Sequence, residues 1–207
     1  MTHPPMTFNV CDAGPGDLVR AELCLDELSK DLKGELGLVE SERSECPELD
    51  CRTLVVEHQI RAEVFSHDCD SELGKLFDGR FLVRDLTTVF AHGSGTRRGF
   101  HAGTFLWRTA AGLVQGRLQG MTNEGTHREP AFDGCQKCSD VGVMEGRLCG
   151  RLVRPADEKL AGIQVTAAYR FRFDSSTDGG HGALVGTIEG LLIRTCGCDK
   201  DCGCPEK

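Results

Sequence analysis

The residues best suited to chemistry are cysteines that lie close together near the end of the chain. A near-symmetric C-x-C-x3-C-x-C pattern is formed by Cys196, Cys198, Cys202 and Cys204. Four closely spaced thiolates can surround one soft ion such as Zn²⁺ or Cu(I), and the glycines between them let the backbone turn tightly. The pattern predicts a metal site with zinc as the expected cofactor; a reduced tail without metal is the alternative.

A second cysteine pair, Cys135 and Cys138, forms a C-x-x-C in a polar segment between two predicted strands. It supplies half of a zinc site or a reversible dithiol. His127 precedes Cys135 in the same segment and is a candidate third ligand, although a loop histidine bonded to local backbone is the alternative. The chain starts without an apolar secretion signal, so we expect a reducing, cytoplasmic compartment, in which paired cysteines favour metal or redox chemistry over disulfides.

The same polar segment holds the candidate catalytic residues His127, Arg128 and Glu129. A histidine beside a glutamate can act as a general base, and an arginine can hold a carboxylate or an oxyanion. Long loops at the mouth of a barrel often carry function. None of the patterns G-x-S-x-G, H-E-x-x-H or a P-loop occurs in the chain, so these roles rest on residue type alone.

Alternation of apolar and polar residues indicates the elements that would position these groups. In IQVTAAYRFRF (163–173) every odd position is apolar and most even positions are polar, which is typical of a half-buried strand. Similar patterns predict strands over 52–65, 81–92, 100–109, 112–120, 142–154 and 183–194. The sequence therefore predicts a mainly β protein with antiparallel strands.

Glycine recurs on one face of three predicted strands. GLVQGRLQG (112–120) and GVMEGRLCG (142–150) share G-x-x-x-G-R-L-x-G, and ALVGTIEGLL (183–192) keeps a G-x-I-x-G core. Glycine weakens a strand unless a sharp bend or close backbone approach needs it, so the repeat predicts the strong coiling of a small closed barrel. The opposite face carries Arg117, Arg147 and Arg151, and the sequence leaves open which face lines the lumen.

The first part of the chain differs in charge and in pattern. Residues 1–78 carry 18 of the 32 acidic residues but only 7 of the 24 basic ones. Leu18, Ala21, Leu25, Leu28 and Leu32 follow a three-and-four spacing, which predicts a helix over 17–33 followed by a loop. We therefore expect an acidic helical head (1–47), an antiparallel β-barrel (48–194) and a cysteine-rich tail (195–207).

The barrel segment resembles a known group of folds. G-T-F-L-W (103–107), followed by the G-x-L-x-G and G-x-I-x-G strands, is similar to small calycin-type barrels of the allene oxide cyclase and dirigent kind. The resemblance covers roughly 80–194. It implies an eight-stranded barrel, often oligomeric, with a lumen able to hold an apolar molecule.

These observations leave three hypotheses about function. The first is a non-enzymatic barrel that binds a small apolar or anionic molecule and holds a metal on its cysteines. The second is an isomerase or lyase acting at the barrel mouth, and the third is a homo-oligomeric structural module. Nucleic-acid binding is disfavoured by the formal net charge of −8, and no apolar run is long enough for a membrane helix.

Overall fold

The structure, a computed structural model, describes residues 22–46, 51–66, 71–92, 97–124, 141–174 and 181–196. Within them the strands are β1 (Glu22–Cys46), β2 (Cys51–Ser66), β3 (Gly79–His92), β4 (Arg97–Thr109), β5 (Gly112–Glu124), β6 (Val141–Pro155), β7 (Gln164–Asp174) and β8 (His181–Cys196). One short helix, α1 (Glu72–Lys75), joins β2 to β3, and a 3₁₀ turn (Glu158–Leu160) joins β6 to β7.

The strands close into one antiparallel barrel. Each strand pairs with the next along the chain, and β8 pairs back onto β1 from Glu22↔Cys196 to Gly37↔His181. The predicted mainly β fold and its closed antiparallel barrel are thus confirmed. The resemblance to calycin-type barrels stays a prediction, because closure of eight strands does not by itself identify a family.

The predicted N-terminal helix is wrong. Residues 22–33 lie in β1, which continues to Cys46 through the segment expected to be a loop, so the described part of the barrel already includes Glu22. Leu28 and Leu32 are four residues apart, a spacing that places them on one face of a helix and equally on one face of a strand. Lys30 lies between them on the inward face. Because it is charged, it interrupts the alternation of apolar and polar residues by which a strand is recognised in a sequence.

The glycine and leucine face of the strands points into the barrel. Val114, Leu118, Leu148 and Ile188 are fully or almost fully buried, whereas the arginines of the opposite face, Arg117, Arg147 and Arg151, are exposed. The apolar side of the repeated motif therefore forms the core. The arginines lie on the outer wall.

Inward-facing glycines provide room for aromatic rings. A Cβ on Gly116 would lie 2.2 Å from the carbonyl oxygen of Cys149 and 2.6 Å from Phe105 Cε1. A Cβ on Gly150 would lie 2.7 Å from Cζ of the same ring. Real side chains do not tolerate such distances, so the close approach of β5 and β6 and the position of Phe105 both depend on glycine.

The α1 end of the barrel is closed by aromatic residues and one buried cation. Phe77 follows α1 and packs edge-on against Trp107, with ring centroids 6.0 Å apart. Lys30 Nζ donates hydrogen bonds to the Gly74 carbonyl (2.7 Å) and to Asp78 Oδ1 (2.8 Å). The α1 segment is thus held across the barrel end by packing and by a charged hydrogen bond.

Candidate functional site

Polar side chains enter the lumen in the half of the barrel away from α1. Strand alternation directs them inward together with their apolar neighbours, and they are contributed by β2, β3, β4, β5 and β7. We call this group the lumen polar cluster; its members are His58, Asp85, Thr87, His101, Thr122 and Tyr169. A polar group inside a barrel requires partners, so the cluster is the first place to look for function.

His101 is fully satisfied by its neighbours. Its Nδ1 atom is hydrogen-bonded to Thr122 Oγ1 (3.0 Å), and its Nε2 atom is hydrogen-bonded to the Tyr169 hydroxyl. Burial, together with the charge of His58, lowers the pKa of His101 to about 4, so the ring is neutral at neutral pH. A neutral imidazole donates from one nitrogen and accepts at the other, which suits two hydroxyl partners.

Tyr169 spans the lumen from β7 and joins the cluster to the aromatic core. Its ring stacks on Phe171 with centroids 4.7 Å apart, while its hydroxyl reaches His101 on β4. The hydroxyl also lies 2.7 Å from where a Cβ on Gly146 would be. Burial, and secondly the charge of Asp85, raise the pKa of Tyr169, so the hydroxyl keeps its proton.

Asp85 is the unsatisfied member of the cluster. Its side chain is 0% exposed, and neither carboxylate oxygen has a hydrogen-bond partner among the residues that the structure describes. His58 Nδ1 is 3.7 Å from Asp85 Oδ1, beyond hydrogen-bond distance, and is instead hydrogen-bonded to Thr87 Oγ1 (3.2 Å). Burial raises the pKa of the Asp85 carboxyl to about 7.

The arrangement has two chemical capacities. A buried carboxylate with both oxygens unpaired can accept hydrogen bonds from a bound molecule. A carboxyl whose pKa is close to neutrality can also take up and return a proton. His58, which lies beside Asp85, is 18% exposed.

Most of the site residues predicted from the sequence are not among the residues that the structure describes. His127, Arg128, Glu129, Cys135, Cys138, Cys198, Cys202 and Cys204 lie outside the described residues. Cys196 is the last residue of β8 and pairs with Glu22 in the β1–β8 ladder. The predicted loop site and metal site therefore stay predictions.

Two other cysteines have described side chains. Cys149 is an exposed free thiol on the outer wall, with its Sγ 3.8 Å from Thr166 Oγ1. Cys24 on β1 is disulfide-bonded. Within the described ranges, no group of three or more His, Cys, Asp and Glu side chains is placed to hold a metal ion.

The sequence does contain a weak signal for the lumen polar cluster. Asp85 interrupts the inward positions of FLVRDLTTVFAH (81–92), where Phe81 and Val83 are buried. His101 likewise shares its face with Phe105 and Trp107. An acid or a histidine at an inward position of a strand is the feature that could have identified the cluster.

Comparison of the chain with protein-family models, with curated proteins and with solved structures gives no match. Across the part of the chain that is described, no helix has the length and apolar character needed to cross a membrane. The function is therefore argued from the geometry of the lumen polar cluster.

Proposed function

We propose that this protein is a small-molecule-binding β-barrel whose ligand binds in the lumen against Asp85. The observation that carries the proposal is the pair of Asp85 oxygens, buried in the lumen without a hydrogen-bond donor among the described residues. The neighbouring residues His101, Thr122 and Tyr169 are hydrogen-bonded to one another, so they form a fixed wall beside Asp85.

Burial of the Asp85 carboxyl without a hydrogen-bond partner among the described residues destabilises the free protein. An unsatisfied buried polar group destabilises a fold by about 1–3 kcal/mol, and more if it is charged. A hydrogen-bond donor on a ligand would offset that cost on binding. The binding free energy would therefore draw on an interaction that the free barrel lacks.

A proton-transfer enzyme of the isomerase or lyase type is the second candidate. One observation favours it: the pKa of Asp85 is raised to about 7 by burial, which suits a group that removes a proton from a substrate and returns it. In this candidate function, Asp85 and His58 would carry out the proton transfer within the lumen. The predicted mouth residues His127, Arg128 and Glu129 would then contact the substrate from the loop.

A cysteine metal site is a separate part of the proposal. Cys135, Cys138, Cys196, Cys198, Cys202 and Cys204 would bind zinc through their thiolates. Elemental analysis of protein purified without added metal, beside a chain ending at Thr195, tests it. Zinc in the full chain and less in the shorter one is the expected result; equal zinc in both would remove the tail from the site.

Self-association is a third candidate, favoured by apolar side chains on the outer wall. Phe100 and Met121 are direct cross-strand partners on β4 and β5 and are 60% and 43% exposed, and Leu86 on β3 is 51% exposed. Exposed apolar patches often mark protein interfaces. Light scattering at high concentration would show a dimer or larger species if this wall pairs with a second copy, and a monomer if it does not.

The lumen proposal has a built-in reporter, because Tyr169 is the only tyrosine of the chain. Protein labelled with 3-fluorotyrosine gives one ¹⁹F resonance, and cyclohexanol supplies a small apolar body with a single hydroxyl donor. We expect a saturable shift of the resonance in the wild type and in Glu189→Gln, which removes an exposed outer carboxylate. The shift should be lost in Asp85→Leu.

Two results would contradict the lumen proposal. One is a resonance that does not move at any soluble concentration of cyclohexanol. The other is an equal shift in the wild type and in Asp85→Leu, since binding would then not involve the carboxylate. The fluorescence of Trp107, the only tryptophan, reports whether each variant keeps the folded core.

A further inference from the structure

The charge balance around Asp85 determines which ligands it can take. The groups that face it across the lumen are His58 from β2, His101 from β4 and Tyr169 from β7, with Thr87 on its own strand. His101 is neutral, and Tyr169 keeps its proton. Apart from His58, no cationic side chain among the described residues is placed within ion-pair distance of the carboxylate.

The arginines of the nearby strands whose side chains are described lie on the outer wall. Arg84 precedes Asp85 on β3, lies on the outer wall and pairs there with Glu57. Lys30 faces inward but is bound to Asp78 at the α1 end. The lumen around Asp85 therefore holds a buried carboxyl whose nearest cationic group, among the described side chains, is His58 at 3.7 Å.

A bound cation would complete this arrangement, and a bound anion would oppose it. An opposite charge close to a carboxylate favours the ionised form, and two like charges in a low-dielectric site repel each other strongly. The stacked rings of Tyr169 and Phe171 add aromatic surface to the same half of the lumen, which suits the apolar body of an organic cation.

We propose that the lumen site selects small organic cations, such as protonated primary amines or amidines, with the charged nitrogen donating to Asp85. This inference rests on the proposed function and narrows it, since the sequence alone left an apolar or an anionic ligand as the expectation. The Asp85 oxygens accept two donors, which an ammonium or an amidinium supplies.

The proposal requires a specific pH dependence. The cation binds the ionised carboxylate, and Asp85 in the free protein changes from mostly protonated to mostly ionised as pH rises through about 7. Amine affinity should therefore rise about tenfold between pH 6 and pH 8.

Three probes with one apolar body test the inference: cyclohexylamine, cyclohexanol and cyclohexanecarboxylate, each titrated against the ¹⁹F resonance of Tyr169. We expect the amine to bind at least about tenfold more tightly than the alcohol at pH 8, and the carboxylate not to bind. Asp85→Asn, which keeps the shape and removes the charge, should lose the preference for the amine. Glu189→Gln should keep it.

The outcomes separate this inference from the proposed function. Equal affinity for amine and alcohol, or amine affinity that does not change between pH 6 and pH 8, overturns cation selectivity and leaves the lumen site intact. Preferred binding of the carboxylate also overturns it. No shift with any of the three probes overturns both the inference and the lumen site.

Discussion

Asp85 and His58 are direct cross-strand partners on β3 and β2, and yet their closest oxygen and nitrogen atoms are 3.7 Å apart. The histidine nitrogen that faces the carboxylate is hydrogen-bonded to Thr87. The pair therefore gives only partial electrostatic compensation to a carboxyl that is removed from solvent. The consequence is that the ionised form of Asp85 opposes folding of the free barrel.

Asp85→Asn is expected to stabilise the free protein in a pH-dependent way. The pKa of Asp85 is about 7 in the folded chain and 3.8 in its ordinary state, so folding favours the protonated form. The stability that the protonated Asp85 carboxyl gives to the fold is fully present below pH 3.8 and is lost as pH rises through 7. Urea unfolding should show little difference between the two proteins at pH 4 and about 4 kcal/mol in favour of the variant at pH 8.

A stability difference that is the same at pH 4 and pH 8 would contradict the buried, unpaired state of this carboxyl. Glu189→Gln is the control, because it removes an exposed carboxylate from the outer wall. Its stability should follow that of the wild type at both pH values. A pH-dependent difference in stability between Glu189→Gln and the wild type would come from the change in net charge rather than from Asp85.

Tyr169→Phe should destabilise the barrel although the ring remains. The change removes the hydroxyl bound to His101 Nε2 and leaves that buried nitrogen without this partner. The expected loss is about 1–3 kcal/mol in the free energy of unfolding, measured by urea titration with Trp107 fluorescence. Thr166→Val, which removes a hydroxyl on the outer wall, should change stability by less than about 0.5 kcal/mol. An unchanged midpoint for Tyr169→Phe would mean that the His101 hydrogen bond contributes nothing.

Gly116→Ala and Gly162→Ala test two different reasons why a position needs glycine. At Gly116 there is no room for a side chain, and at Gly162 the backbone has a positive φ. A Cβ on Gly116 would collide with the backbone of β6, so we expect a loss of more than about 3 kcal/mol or failure to fold. Gly162 has a φ of +80° and open space around it, so alanine there should cost only about 1 kcal/mol of backbone strain. Thermal unfolding of both variants gives the comparison. Equal losses would contradict the close approach of β5 and β6.

Lys30→Met tests how α1 is held at the barrel end. The change leaves the Gly74 carbonyl without its buried donor and the 44% exposed Asp78 carboxylate without its cation, and the expected loss is about 1–3 kcal/mol. Lys75→Met is the matched control, because Lys75 is half exposed and pairs with Glu72 on the surface. It should be close to neutral in urea unfolding. Similar losses in the two variants would show that the buried contact has no special role.

The strands that alternate cleanly could be predicted from the sequence, and β1 could not. The segment 163–173 alternates without interruption and forms β7, and the glycine repeats form β5, β6 and β8. In β1 the inward series Leu28, Lys30, Leu32 contains a buried charge whose partners are remote in sequence. Only the tertiary fold shows that the Lys30 side chain lies inside the barrel, so the local pattern of residues predicts a helix.

The candidate site was harder to predict for a related reason. A polar segment such as the one that contains His127 is a natural candidate for a site, because it holds many functional groups close together in the sequence. The lumen polar cluster is instead assembled from six residues on five strands, and all of them except Asp85 and Thr87 are separated by long stretches of sequence. Its recognition requires the register that brings Thr87 opposite His101 and Asp85 opposite His58, and that register is a property of the closed barrel.

The ladder between β1 and β8 joins the first described strand to the last. During synthesis every other pairing can form as soon as the next strand emerges, because each joins neighbours along the chain. The closing ladder has to wait for residues 181–196, and until then two strand edges face solvent. A nascent chain of this protein would therefore be most prone to aggregation in the interval before residues 181–196 emerge.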